Sequence, residues 1–229
     1  MSKLPTKQDL LEVAKQLIVN KEVAKLMPHK TQTRRVIKDI ASVEKSESMC
    51  GDIYKTHKGK MFFKHELVER YSKYKKGEIY WIREPVKVTE FNITKINYRY
   101  LSDNIEIKDF LYPTKFYGKK WIEKCQGIPN GCTKEMARYF VEITDVRVER
   151  LQDISNIGII NEGMPLEYRG VGNCLRNGGS DWWINLWNST AKEPYRWEND
   201  PYVFVYEFEK LEYSTKEQRY TKDIVVEKG

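Results

Sequence analysis

The stretch RYFVEITDVRVERL, residues 138–151, sets Tyr139, Val141 and Ile143 in alternation with Phe140, Glu142 and Thr144. A period of two sends successive side chains to opposite faces of an extended chain, so this stretch predicts a β-strand. Directly after it, DISNIGIINEGM (153–164) offers Asp153 or Ser155 as an N-cap and Gly163 as a stop, which predicts a short helix. Farther out, PYVFVYEFEKLE (201–212) places Tyr202, Phe204, Tyr206 and Phe208 on one face of a final strand. IYWI (79–82), entered through a turn at Lys76 and Gly77, suits a strand buried on both faces, and Pro85 argues against a central strand beyond it. FNITKINYRYL (91–101) alternates weakly, as in a hairpin, and DWWINLWNST (181–190) resembles an amphipathic helix. At the N-terminus Thr6 and Asp9 can form a capping box for a helical extension over 1–15, LIVN (17–20) reads as a strand, and KEVAKLM (21–27) as a helix stopped by Pro28. Short strands scattered among short helices, with no regular βαβ alternation, predict a small barrel or an α+β fold rather than a doubly wound sheet.

Length and composition set the frame for these elements. A chain of 229 residues is expected to form one large domain, with about 70% of its unfolded surface buried. The 15 Tyr, 8 Phe and 6 Trp can fill a core without disulfides. No stretch approaches the roughly 18 to 20 apolar residues that span a bilayer, which predicts no membrane association. The first residues carry no signal-peptide pattern, so a cytoplasmic location is expected. Cys50, Cys125, Cys132 and Cys174 lie far apart, as reduced thiols do. With only His29, His57 and His65 and no metal-ligand spacing, no metal and no cofactor are expected. A formal charge of +7 is compatible with nucleic acid or nucleotide partners, and equally with an ordinary solvated surface.

Just after Pro28 comes KTQTRR, residues 30–35, an amine, two hydroxyls and two guanidinium groups at a predicted strand entry. It is also the point at which the chain resembles the ASCH family, in particular its phage-borne members. LIVNKEVAKLMPHKTQTRRVIK (17–38) is similar to that family's opening strand, helix and Lys-Thr-x-Thr-x-Arg segment. KKGEIYWIRE (75–84), MARYFVEITDVRVERLQDIS (136–155), INEGM (160–164) and WENDPYVFVYEFE (197–209) resemble, in order, its later strands and Glu-Gly turn. The resemblance implies a PUA-like small β-barrel with short flanking helices, as a single domain over 1–229. Insertions would fall at 38–66, 87–128 and 165–182, and a frayed tail at 214–229.

The resemblance also implies a function. Some small members of the family remove the acetyl group from N4-acetylcytidine with a Lys, a Thr three residues on, and a Glu from the later turn; here those are Lys30, Thr33 and Glu162. Arg35 falls on the family's arginine. Arg83 and Glu84, and more weakly Arg138, are candidate substrate-binding residues, because a planar fork suits phosphate or a base edge. The partner implied is a modified nucleoside or nucleic acid, RNA or DNA, inside a bacterial host if the chain is phage-encoded. The leading expectation is an amidohydrolase acting on an N4-acyl cytosine. Its rivals are a non-catalytic binder of RNA or modified DNA and a nuclease. Whether Lys30 or Glu162 is the base is open, since a nearby carboxylate raises an amine pKa that burial lowers. A regular strand would send Lys30 and Thr33 to opposite faces, so a shared site requires a bend at 29–32. The residues do not set the oligomeric state.

Overall fold

The computed structural model describes residues 4–44, 51–128 and 131–214. The chain divides into two compact units, the first comprising Met1–Lys25, Ile79–Val141 and Lys210–Gly229, the second Leu26–Glu78 and Glu142–Glu209.

The first unit opens with α1 (Lys7–Val13), where Thr6 and Asp9 close the predicted capping box, and continues into β1 (Lys15–Ile18). α2 (Lys21–Leu26) runs from this unit to the start of the second. β1 pairs in parallel with β6 (Ile79–Arg83), Leu17 opposite Ile82. β7 (Val86–Phe91), β8 (Lys95–Tyr100) and β9 (Glu106–Leu111) form a separate antiparallel three-stranded sheet, followed by α4 (Lys120–Glu123). Val86, Val88, Ile96, Tyr98, Tyr100 and Phe140 bury the inner side of this unit. Where the sequence suggests one hairpin over 91–101, three strands form, and Pro85 sits between β6 and β7 where the sheets part.

In the second unit β2 (Gln32–Val36) leads to a small antiparallel sheet of β3 (Ile40–Glu44), β4 (Ile53–Thr56) and β5 (Met61–Phe63), then α3 (Lys64–Tyr71). α5 (Asn156–Asn161) is capped by the Ser155 side chain, which accepts from the Gly158 amide, and α6 (Gly179–Thr190) follows. β11 (Tyr202–Lys210) runs antiparallel to β2 with Tyr206 opposite Thr33 and Val205 opposite Arg34. Trp183, Trp187, Ile159, Met164, Val203 and Val205 make one core cluster, consistent with tryptophans at helical spacing packing inward.

β10 (Phe140–Arg150), the strand predicted from alternation, completes an open five-stranded sheet in the order β1-β6-β10-β11-β2. The expected PUA-like barrel of ASCH type is therefore corrected. The described residues form three sheets within a mixed α+β fold, and none of the three closes on itself. Closure requires the two edge strands to pair, and alternation reports only which face a residue takes, never which strand lies beside it. Of the expected tail at 214–229, Ser214 bridges to Thr6 and 215–229 lie outside the described residues, as does Cys50. Among the described residues no helix is long and apolar enough to cross a membrane.

Candidate functional site

Lys30 reaches its position through two backbone connections. α2 ends in a tight turn, with the amides of His29 and Lys30 both donating to the Leu26 carbonyl. The Thr31 amide then donates to the Asn161 carbonyl at 2.9 Å, and the Thr31 carbonyl accepts from the Phe208 amide. Residue 30 thus lies before β2 begins, in the bend that the sequence reading requires, and is stitched beside the end of α5. Glu162 is the C-cap of that helix and Gly163 follows with φ +96°. A Cβ at Gly163 would sit 2.8 Å from Leu26 Cβ and 3.1 Å from its carbonyl oxygen, so only glycine fits both the backbone angle and the space.

The side chains of Lys30 and Glu162 meet there, each 2% exposed. Lys30 Nζ donates to the Glu162 carboxylate at Oε2 and to the Glu162 backbone carbonyl at 3.0 Å. The other carboxylate oxygen, Oε1, accepts from Arg34 Nη1 at 3.0 Å. Arg34 Nη1 also donates to Gln32 Oε1 at 2.8 Å, and Nη2 to Glu149 Oε2 at 3.2 Å. Gln32 in turn donates to Glu207 Oε1 at 3.0 Å. Gly158 of α5 lies against this arrangement, since a Cβ there would be 3.2 Å from Arg34 Nη2. Burial pushes the Lys30 ammonium below its ordinary value of 10.5; the Glu162 carboxylate opposes the shift and the Arg35 and Arg34 charges add to it.

Thr33 belongs to the other face of β2. Residues 32 and 34 bond each other on one side, and on the opposite side Arg35 Nη1 donates to Thr33 Oγ1 at 3.0 Å. The strand partner of Thr33 is Tyr206, whose ring packs edge-on against Tyr74 at 5.0 Å and whose hydroxyl accepts from Ser72 at 3.3 Å. The structure brings Lys30 and Glu162 together. The printed bonds of Thr33 and Arg35 lie on the far side of the strand from them.

Arg83, Glu84 and Arg138 belong to the first unit. Arg83 Nη1 donates to Gln16 Oε1 at 3.2 Å. Glu84, 0% exposed, takes a two-pronged pair of bonds from Arg138 Nε and Nη2, both 2.8 Å, and a third from Ser102 Oγ at 3.3 Å. Arg138 also pairs with Asp103 at 2.6 Å and lies over the Tyr100 ring at 4.0 Å. Burial works against the Arg138 charge, but the Glu84 bonds and charge outweigh it and raise its pKa. Burial also pushes the nearby Cys132 thiol up to about 12, which leaves it unreactive at neutral pH.

Three participants are missing from the residues singled out in the sequence: Arg34, Gln32 and Glu149. The spacing 30, 32, 34 is the signal that could have found two of them, because a strand's period of two aligns Gln32 and Arg34 with an inward-turned Lys30. Glu149, on β10, is not marked by any local pattern. Among the described residues no group of His, Cys, Asp and Glu is placed to hold a metal ion. Compared with known proteins, the chain matches no family model, no curated protein and no solved structure.

Proposed function

We propose that the protein recognises a nucleoside or nucleic acid and hydrolyses an N4-acyl amide on its cytosine at the Lys30–Glu162–Arg34 cluster. One observation carries the chemistry. Lys30 Nζ has two acceptors, both on Glu162, and burial disfavours its charged form. A neutral amine has two N–H groups, so both are committed to Glu162 and the lone pair is left for a proton. Arg34 balances the Glu162 charge, which lets the amine stay neutral beside a carboxylate. What supports the substrate class is the likeness of KTQTRR and INEGM to the corresponding segments of N4-acetylcytidine hydrolases.

In this reading the nucleophile is water, because Thr33 serves the opposite face of β2. The water oxygen attacks the acyl carbonyl carbon while Lys30 Nζ takes its proton. The carbon–nitrogen bond then breaks, its electron pair leaves on N4, and Lys30 returns the proton to that nitrogen. The products are the free cytosine amine and a carboxylic acid, which releases its own proton to solvent. Since Lys30 and Glu162 are each 2% exposed, substrate entry requires the side chains that cover them to move, and turnover is limited by that opening.

The test is incubation of the full chain with N4-acetylcytidine and with acetylated oligonucleotides, following cytidine and acetate release by chromatography. Lys30→Met and Glu162→Gln are expected to reduce release by about 10²- to 10⁴-fold, the range for a lost general base. Equal turnover in both variants rejects the site. The +7 charge favours one other reading, a non-catalytic nucleic-acid binder. It is supported by no release together with tight binding that weakens steeply with salt.

A further inference from the structure

Arg34 and Trp183 each hold one N–H in the second unit's interior that has no hydrogen-bond partner. Both residues are 3% exposed, and the Arg34 guanidinium carbon lies over the Trp183 ring, 5.9 Å from its centroid. The other Arg34 nitrogens are committed, Nη1 to Gln32 and Glu162 and Nη2 to Glu149, which leaves Nε. Trp183 differs from its neighbour in the same helix, because the Trp187 indole donates to the Tyr195 carbonyl at 2.9 Å. A guanidinium and an indole can donate but never accept, so only an acceptor atom satisfies either N–H. Buried donors without partners are rare in folded proteins and call for a physical explanation.

We infer that Arg34 Nε–H and Trp183 Nε1–H form a donor pair for the oxygen of a bound acyl group, and so deepen the hydrolase reading on which this assignment rests. The ligand class is a carbonyl or carboxylate oxygen carried by a small acyl group. Lys30 and Glu162 stand on the other side of the same guanidinium, so an acyl oxygen held by Arg34 Nε presents its carbonyl carbon toward the amine. Negative charge that grows on that oxygen as water adds is met by one cationic and one neutral donor already in place. No bond to the protein is made or broken in this role.

The experiment uses the full ¹⁵N-labelled chain, with the Trp183 indole resonance identified by its loss in Trp183→Phe. Sodium acetate, N4-acetylcytidine and cytidine are titrated separately. A saturable downfield shift of that resonance is expected with the first two and none with cytidine. Arg34→Lys, which keeps the charge and deletes Nε, is expected to weaken the response at least tenfold. In turnover, Trp183→Phe is expected to lower kcat by about 10²-fold with KM little changed, as for a lost oxyanion donor; a packing role alone would not split the two constants. An indole resonance that ignores both acyl compounds overturns the donor pair, and the wild-type titration decides this even if a variant fails to fold. A response without turnover keeps the pair and ends the hydrolase reading. Turnover without a response does the reverse, and silence in both ends both.

Discussion

Glu84 in the first unit and Glu162 in the second are both withdrawn from water, yet their partners differ in kind. Glu84 accepts from one arginine fork and a serine hydroxyl, and that arginine spends its remaining nitrogen on Asp103 and its flat face on Tyr100. Glu162 is shared between Arg34 and a lysine whose charge burial disfavours, and Arg34 keeps one N–H in reserve. A saturated ion pair holds a fold in register and offers a ligand little. An unsaturated one, with a titratable amine, is where chemistry concentrates.

Removing each carboxylate separates the two situations most clearly. Glu162→Ala leaves an arginine and a lysine buried around one missing acid, and is expected to cost about 3 to 5 kcal/mol in urea unfolding. Glu84→Ala is expected to cost about 1.5 to 3 kcal/mol, the range for charge-assisted bonds, because Asp103 still holds Arg138. A reversal of that order would break the comparison.

Lys30→Met sharpens it through pH. Because the folded-state pKa of Lys30 lies below 10.5, the unfolded chain binds more protons in the window between the two values. Stability therefore rises with pH across that window, by at most about 1.4 kcal/mol per pH unit. The contribution is whole above 10.5 and gone once the pH has fallen through the lowered value. Unfolding curves of the Met variant between pH 7 and 10.5 are expected to lack this slope.

Thr33→Val makes the smallest change. It removes one hydroxyl bonded to Arg35, at about 1 kcal/mol, and is expected to leave acyl release unaltered. Loss of release in that variant would return the hydroxyl to the chemistry.

Much of the second unit is legible from local pattern. Ser155 caps α5, the tryptophans of α6 face inward at helical spacing, and the aromatic face of β11 lies where alternation places it. Residues 38–66 show no sustained period because β3, β4 and β5 are only three to five residues long, too short for one to emerge. Closure of the sheet is illegible for a different reason, since the pleat of a strand is indifferent to its neighbour's identity. The meeting of Lys30 with Glu162 spans 132 residues and leaves no local trace; only the ordered resemblance of distant segments suggested it. Arg34 rather than Arg35 joins them, a choice that parity along the strand decides and motif position does not.

The turn after Glu162 leaves no room for a methyl group between it and Leu26. Mutation at that glycine cannot retune the gap between base and acid gradually; it must disrupt the junction as a whole. Evolutionary adjustment of the gap is therefore channelled into side-chain length, of which shortening Glu162 to aspartate by one methylene is the least step.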